Sequence, residues 1–165
     1  MFKSSVLYLA VEGLLLPRMS TILVAKTHGI SALAPSGNHI DRLEHLLDET
    51  RVNVVLNSSW VQTAGFRTVL NMLPVGIRTR TVGATVPGNR ILGRRIGGMS
   101  GRAAWLEDDL KRRDASKVTI LDCDFRYVPV RLRHVSLIED KGLWRADEED
   151  WRRLRDLLVR CGEDT

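Results

Sequence analysis

The sequence predicts an α/β protein built on a mostly parallel, Rossmann-like sheet with helices on both faces. Short apolar runs such as VLYLA and VNVVLN show no polar alternation, which is typical of strands buried on both faces. Segments of helical periodicity separate these runs, and strands that alternate with helices favour a parallel sheet. The 165 residues are expected to form one domain, residues 1–165, long enough to bury a substantial core.

Each predicted element follows from a local pattern. Apolar or alternating runs predict five strands, at residues 6–10, 52–57, 77–83, 117–122 and 133–138. Apolar residues at helical spacing predict helices over residues 39–50, 59–73 and 102–113, and a last helix that begins at Asp147. Asn38 is expected to cap the first helix and Ser59 the second, which Pro74 ends.

Two connections are long enough to carry structure of their own. Residues 14–37 contain an apolar stretch between prolines and glycines, which predicts a short hairpin or flap. Residues 84–100 form a loop rich in glycine and arginine. Neither segment is long enough for a sizeable cap domain over the carboxyl ends of the strands.

The composition excludes several classes of protein. A hydrophobic share of 44% and a charged share of 27% are ordinary for a folded soluble domain. No apolar run is long enough to span a membrane, and the N-terminal stretch lacks the cleavage site of a signal peptide. Cys123 and Cys161 are too few for a disulfide framework, and the four histidines are scattered, so no zinc site is expected. We expect a reduced, cytoplasmic protein.

Positive charge is concentrated in one part of the chain. The net charge is +5, but residues 78–133 contain 13 lysines and arginines against 6 acids, a surplus of seven positive charges. Such a segment favours an anionic partner, whether nucleic acid, nucleotide or another phosphorylated molecule. A solvated basic surface without a partner explains the charge equally well.

Chemically active side chains follow the predicted strands. Because ligands of parallel sheets bind beyond the carboxyl ends of the strands, these are the candidate site residues. The set comprises Ala10, Glu12 and Gly13 after the first strand, Ser58 and Ser59 after the second, Asp122, Cys123 and Asp124 after the fourth, and Arg102 at the start of the preceding helix. The sequence thus predicts acids, a hydroxyl and a cation in one crevice.

In this order the motifs resemble those of the haloacid dehalogenase (HAD) superfamily, and in particular its small standalone members related to RNA-repair phosphatase domains. The stretch LYLAVEGLLLP is similar to the first motif, Asp-x-Asp-Gly after an apolar strand, with Ala10 and Glu12 in the places of the two aspartates. The stretches VVLNSSW, GRAAWL and TILDCDF resemble the second, third and fourth motifs, and GLWRADEEDWRRLRDLL resembles the closing segment. The likeness covers nearly the whole chain.

The resemblance implies a reaction and roles for these residues. The first acid of the family attacks phosphorus to form an aspartyl-phosphate, and the second, here Glu12, serves as acid and base. Ser58 and Arg102 bind the phosphoryl group, with Gly13 and Ser59 beside it; Arg94 and Arg95 are alternatives to Arg102. A Mg²⁺ ion is held by the first acid, the backbone carbonyl of Glu12, Asp122 and Asp124.

Ala10 stands in the place of the nucleophile. Because a methyl group cannot attack phosphorus or bind a metal, this chain is expected to be inactive by the mechanism of the family. One explanation is an engineered change from Asp to Ala; the other is a natural pseudoenzyme that binds a phosphorylated ligand or a partner protein. We favour the engineered change, because clustered carboxylates repel one another and a protein with no use for them would gain by losing one.

Members of the family that act on small metabolites usually carry a sizeable cap, so the resemblance implies a large substrate for a chain without one. A phosphorylated nucleic-acid end or nucleotide fits the open site and the basic segment, and a protein phosphosite is the next option. Arg90, Arg94 and Arg95 are expected to contact backbone phosphates outside the site. The four tryptophans are expected to pack in and around the core rather than to form a platform for stacking bases.

Overall fold

Five parallel strands form a single sheet in the order β3-β2-β1-β4-β5. The computed structural model describes residues 5–17, 34–86, 101–113, 115 and 117–163. The strands are β1 (Ser5–Leu9), β2 (Asn53–Leu56), β3 (Thr81–Ala84), β4 (Lys117–Asp122) and β5 (Ser136–Ile138). This arrangement confirms the predicted fold class.

Helices connect the strands. They are α1 (Asn38–Thr50), α2 (Ser59–Ala64), α3 (Phe66–Met72), α4 (Val75–Arg80), α5 (Arg102–Arg113) and α6 (Glu148–Gly162). Within the described residues, three short 3₁₀ helices lie at Phe125–Tyr127, Val130–Val135 and Leu143–Arg145. The bounds of α5 and β4 are as predicted, and Asp147 caps α6 in a capping box with Asp150.

Three details of the prediction are wrong. The single helix over residues 59–73 is two helices, because Gly65 breaks it with a φ of 89° that favours glycine. The strand over residues 77–83 begins only at Thr81. Residues Val75–Arg80 form α4 instead; Pro74 follows the end of α3, as predicted, and precedes α4, since proline is well tolerated at the start of a helix. Gly37 rather than Asn38 is the residue before α1.

The fifth strand is also shorter than predicted. Residues 130–135 form a 3₁₀ helix, and only Ser136–Ile138 pair with β4. Of the predicted strand over residues 133–138, only the second half therefore forms a strand. The 3₁₀ helix places residues 130–135 as a ridge beside the edge of the sheet rather than within it.

The two faces of the sheet carry separate cores, which explains why β1 shows no polar alternation. Leu7 and Leu9 point to the face covered by α1 and α6, whereas Val6 and Tyr8 point to the face covered by α5. All four side chains have no exposed surface. Full burial on both faces makes β1 the central layer of the fold.

A polar contact fixes α5 on its face of the sheet. The Tyr8 hydroxyl donates to the Asp109 carboxylate at 2.9 Å, and Arg113 donates to the same carboxylate at 2.9 and 3.2 Å. Burial of the Tyr8 ring and the nearby Asp109 charge raise the pKa of the Tyr8 hydroxyl above its usual value, so it stays a donor. The register of α5 against β1 is thereby set, and Arg102 lies at the N-terminal end of that helix.

Several sequence-based predictions lie outside the described residues. Most of the flap over residues 14–37 and most of the loop over residues 84–100 belong to this group, including Arg90, Arg94 and Arg95. Within the described part of the chain, no helix combines the length and the apolar character that crossing a membrane requires. Cys123 and Cys161 are both buried as free thiols.

A buried acid at the end of β5 makes stability depend on pH. Glu139 is only 8% exposed, and burial together with the neighbouring Asp150, Asp147 and Asp140 raises its pKa to about 7. The folded state therefore binds a proton that the unfolded chain has released by neutral pH. A group of this kind stabilises the fold below its unfolded pKa, and the contribution is lost as pH rises through about 7.

We predict that Glu139→Gln stabilises the protein at pH 8 and has little effect at pH 4.5. The amide keeps the hydrogen bonding of the protonated acid without its titration, so about 1–3 kcal/mol of pH-dependent unfolding free energy should disappear. Denaturant unfolding at several pH values checks this, with the exposed Glu149→Gln as control. An unchanged pH profile in Glu139→Gln would contradict the prediction.

Candidate active site

The turn after β1 brings Glu12 into the crevice. Gly13 has a φ of 78°, which favours glycine, and its N–H donates to the Leu16 carbonyl at 2.8 Å. The backbone therefore turns sharply after Glu12 and holds this acid at the carboxyl edge of the sheet. Ala10 is completely buried, and its N–H donates to the Leu121 carbonyl of β4 at 3.0 Å.

The tip of β2 donates three hydrogen bonds to Glu12. The Ser58 hydroxyl donates at 2.5 Å to one carboxylate oxygen, and the Ser59 N–H and hydroxyl donate at 2.9 and 2.6 Å to the other. Ser58 rather than Ser59 caps α2, since its oxygen accepts from the Trp60 N–H at 3.2 Å. The predicted cap is therefore wrong by one residue, and the two serines join β2 to β1 through a carboxylate.

Arg102 provides the central positive charge. It is 4% exposed; one terminal nitrogen bonds to Asp122, and the other lies 3.5 Å from Glu12. The Tyr127 ring lies under the guanidinium, 4.3 Å from its central carbon. Burial alone would lower the pKa of Arg102, but the charges of Asp122 and Glu12 outweigh it and raise the pKa. Arg102 therefore remains a cation within the crevice.

The two acids after β4 are bound within the fold. The second oxygen of Asp122 accepts the N–H groups of Cys123 and Asp124 at 2.7 and 3.1 Å, and Asp122 has no exposed surface. Asp124 pairs with Arg126 at 2.6 Å and accepts the Arg126 N–H at 2.9 Å. The backbone carbonyl of Glu12 accepts the Cys123 thiol, with its sulfur at 3.4 Å. The acids are thus neutralised by arginines and backbone N–H groups.

Two buried nitrogens at this edge of the sheet lack a hydrogen-bond partner within the described structure. They are Arg102 Nε and Asn57 Nδ2; the Asn57 side-chain oxygen, by contrast, accepts from the Thr85 hydroxyl at 2.9 Å. A buried donor without an acceptor costs about 1–3 kcal/mol. Both nitrogens could donate to the oxygens of an anion.

This arrangement does not fit a Mg²⁺ ion as it stands. Mg²⁺ needs oxygen ligands in near-octahedral geometry, and the methyl group of Ala10 supplies none. Both carboxylates after β4 are committed to arginines, and the carbonyl of Glu12 accepts a thiol. Among the described residues, no group of three or more acidic, histidine or cysteine side chains is placed to hold a metal.

The structure brings most of the sequence-predicted residues together. Glu12, Ser58, Ser59, Arg102 and Asp122 are linked by direct contacts at the tips of β1, β2 and β4. Sequence reasoning missed two residues of the site. Arg126 pairs with Asp124, and the Tyr127 ring lies against the Arg102 guanidinium. A signal was present, because an arginine and an aromatic residue directly follow the fourth motif.

The fold and the site define a HAD-type α/β domain. Residues 6–148 match the family model described as the HAD domain in Swiss Army Knife RNA repair proteins. The chain therefore belongs to that family, within a superfamily that generally uses Mg²⁺ for phosphohydrolysis. Comparison with curated proteins and comparison with solved structures find no match.

We predict that the chain binds Mg²⁺ weakly and that Ala10→Asp strengthens the binding. The added carboxylate gives the crevice a third acid that Arg102 alone cannot neutralise, so a divalent cation becomes the favourable counter-charge. Titration calorimetry with Mg²⁺ measures both forms, with Ala10→Asn as the uncharged control of equal shape. Equal affinity in all three proteins would contradict the prediction.

Proposed function

We propose that this chain recognises the phosphorylated end of a nucleic acid and does not hydrolyse it. The observation that carries the proposal is Arg102, a buried cation at the strand tips whose Nε has no partner within the described structure. A terminal phosphate brings several acceptor oxygens, and an acceptor is what the Nε of this side chain lacks. The description of the family as part of RNA repair proteins supports a nucleic acid as the carrier of that phosphate.

The lack of turnover follows from two features. Ala10 has no atom that can attack phosphorus, so no covalent phospho-enzyme can form at this position. Glu12 accepts three hydrogen bonds from the two serines. These bonds favour a fixed carboxylate over one that moves a proton to a leaving group, and they also occupy the hydroxyl of Ser58.

The paired acids also bear on the origin of Ala10. The sequence favours an engineered change from Asp to Ala at position 10 only if the carboxylates of the site have no counter-charge and repel one another when no metal is bound. Arg102 and Arg126 instead neutralise Asp122 and Asp124, so a natural protein would have no electrostatic reason to lose them. A natural recognition module therefore accounts for the site at least as well as a silenced enzyme.

We predict that the chain prefers an oligonucleotide with a terminal phosphate over the same strand without one. Arg102→Lys keeps the charge that Asp122 and Glu12 need but removes the forked donors and Nε, so the preference should fall about tenfold. Fluorescence anisotropy with the two strands measures it, and thermal unfolding checks that the variant is folded.

The control for this experiment is Arg152→Lys, since the Arg152 side chain is 65% exposed on α6. It should leave the preference unchanged. Equal affinity of the unmodified chain for the phosphorylated and unphosphorylated strands would contradict the proposed function.

A second candidate is a phosphatase whose nucleophile is missing only in this chain. The observation that favours it is the retention of Glu12, Ser58, Arg102 and Asp122 in contact at the strand tips. With a carboxylate restored at position 10, an oxygen of that carboxylate would bond to phosphorus as the bond to the leaving oxygen breaks. Glu12 would then need to give up its serine bonds to protonate the leaving group.

If this second candidate holds, Ala10→Asp with Mg²⁺ releases phosphate from an aryl phosphate or a phosphorylated oligonucleotide, whereas the unmodified chain does not. Ala10→Asn, which has the same shape but no nucleophile, is the control. Turnover by Ala10→Asp well above Ala10→Asn favours the silenced enzyme. Phosphate release no faster than that of Ala10→Asn leaves the recognition module as the function of the site.

A further inference from the structure

An open cleft lies next to the acids after β4. It has a volume of about 750 Å³ and lies between the turn at residues 123–126 and the segment at residues 138–144. Its lining includes two aromatic side chains, Phe125 and Trp144, and two basic ones, Arg126 and Lys141. The volume is within the range of small-ligand sites.

Phe125 forms one wall of the cleft and is unusually open for a phenylalanine. It is 57% exposed, although it lies in a 3₁₀ helix in which the Asp124 side chain accepts the Arg126 N–H. The Arg133 guanidinium lies 5.5 Å from the centre of the Phe125 ring. A large apolar ring held in solvent beside a cation is suited to stacking a planar ligand.

Trp144 forms a second aromatic element of the lining and is held in place. Gly142 has a φ of 90°, and a side-chain carbon added there would come within 2.1 Å of the Trp144 ring. The His39 ring packs edge-on against the indole, with centroids 6.1 Å apart. Glycine at position 142 thus lets the indole lie directly against the backbone. The prediction that the tryptophans only pack in and around the core does not account for the side of Trp144 that lines the cleft.

Charge divides the surface into two parts. Inside the cleft, Asp124 and Asp140 offset Arg126 and Lys141, so the lining carries no net charge. Outside it, the 3₁₀ ridge at residues 130–135 contains Arg131, Arg133 and His134 and no acid of its own, although Arg131 pairs with Glu107 of α5. A neutral aromatic cleft suits a nucleobase, and a basic ridge suits the phosphates that follow it along a strand.

We propose that this surface binds the single-stranded segment that leads to the phosphorylated end. One base stacks against Phe125 and Trp144 in the cleft, and Arg133 and Arg131 contact backbone phosphates along the 3₁₀ ridge. The proposal rests on the proposed function for the identity of the ligand. It adds the strand-binding surface, which uses residues outside the phosphate-binding crevice.

One feature favours nucleic acid over a peptide. The Arg133 guanidinium lies over the exposed Phe125 ring, an arrangement that supports both stacking and phosphate contact, whereas Arg131 pairs with Glu107 at 2.6 Å. A peptide ligand would instead use Val130, which is 75% exposed at the start of the ridge, as an apolar anchor. Val130→Ala therefore separates the two kinds of partner.

The test measures binding of an unphosphorylated single strand by fluorescence anisotropy at several salt concentrations. Phe125→Ala should weaken binding about fivefold or more with an unchanged salt slope, because a stacked base is lost and no charge is. Arg133→Ala should lower the salt slope by about 1. Arg152→Ala on α6 and Val130→Ala should change neither quantity, and a duplex should compete poorly because its bases are already stacked.

Each outcome bears on one proposal. Unchanged strand binding in Phe125→Ala and Arg133→Ala would overturn the strand-binding surface, even if the preference for a terminal phosphate remains. Loss of strand binding in these variants, without any preference for a terminal phosphate in the unmodified chain, would support the surface and contradict the proposed function. A loss caused by Val130→Ala to the same extent as by Phe125→Ala would point to a protein partner and overturn the inference.

Discussion

The contact between Arg102 and the two acids Asp122 and Glu12 determines what this crevice can do. A charged group buried without a partner costs several kcal/mol, so the three side chains are tolerable only as a set. Arg102 is also the residue whose position depends on α5, and α5 is fixed to β1 through Asp109 and Tyr8. Polar contacts in both halves of α5 therefore hold the site in place: Asp109 fixes the helix to β1, and Arg102 binds the two acids.

The same set explains how the acids at the strand tips are stabilised. In a metal-dependent site the carboxylates are stabilised by the ion, and losing one ligand weakens the rest. Here Arg102 and Arg126 supply positive charge from the protein itself, and the serines hold Glu12. The crevice is electrostatically complete apart from two unpaired donors, which is a better starting point for binding an anion than for moving a phosphoryl group.

The sequence predicts the buried strands and the residues at their tips well, because both depend on local patterns. Strand pairing then brings Glu12 and Asp122 together without further information, since β1 lies between β2 and β4. The breaks at Gly65 and before Thr81 were missed because short helices carry little periodic signal. The contact of Arg126 with Asp124 was missed although the arginine directly follows the fourth motif. The position of Trp144 depends on the turn at Gly142, whose geometry the order of residue types does not encode.

The position of β1 in the sheet has a consequence for biosynthesis. β1 lies in the middle of the sheet, and its residue Leu7 pairs with Thr119, more than a hundred residues later in the chain. Until β4 has been synthesised, one hydrogen-bonding edge of this buried strand has no partner from the sheet. Nascent chains from which β4 has not yet emerged are therefore poor candidates for native structure and good clients for chaperones.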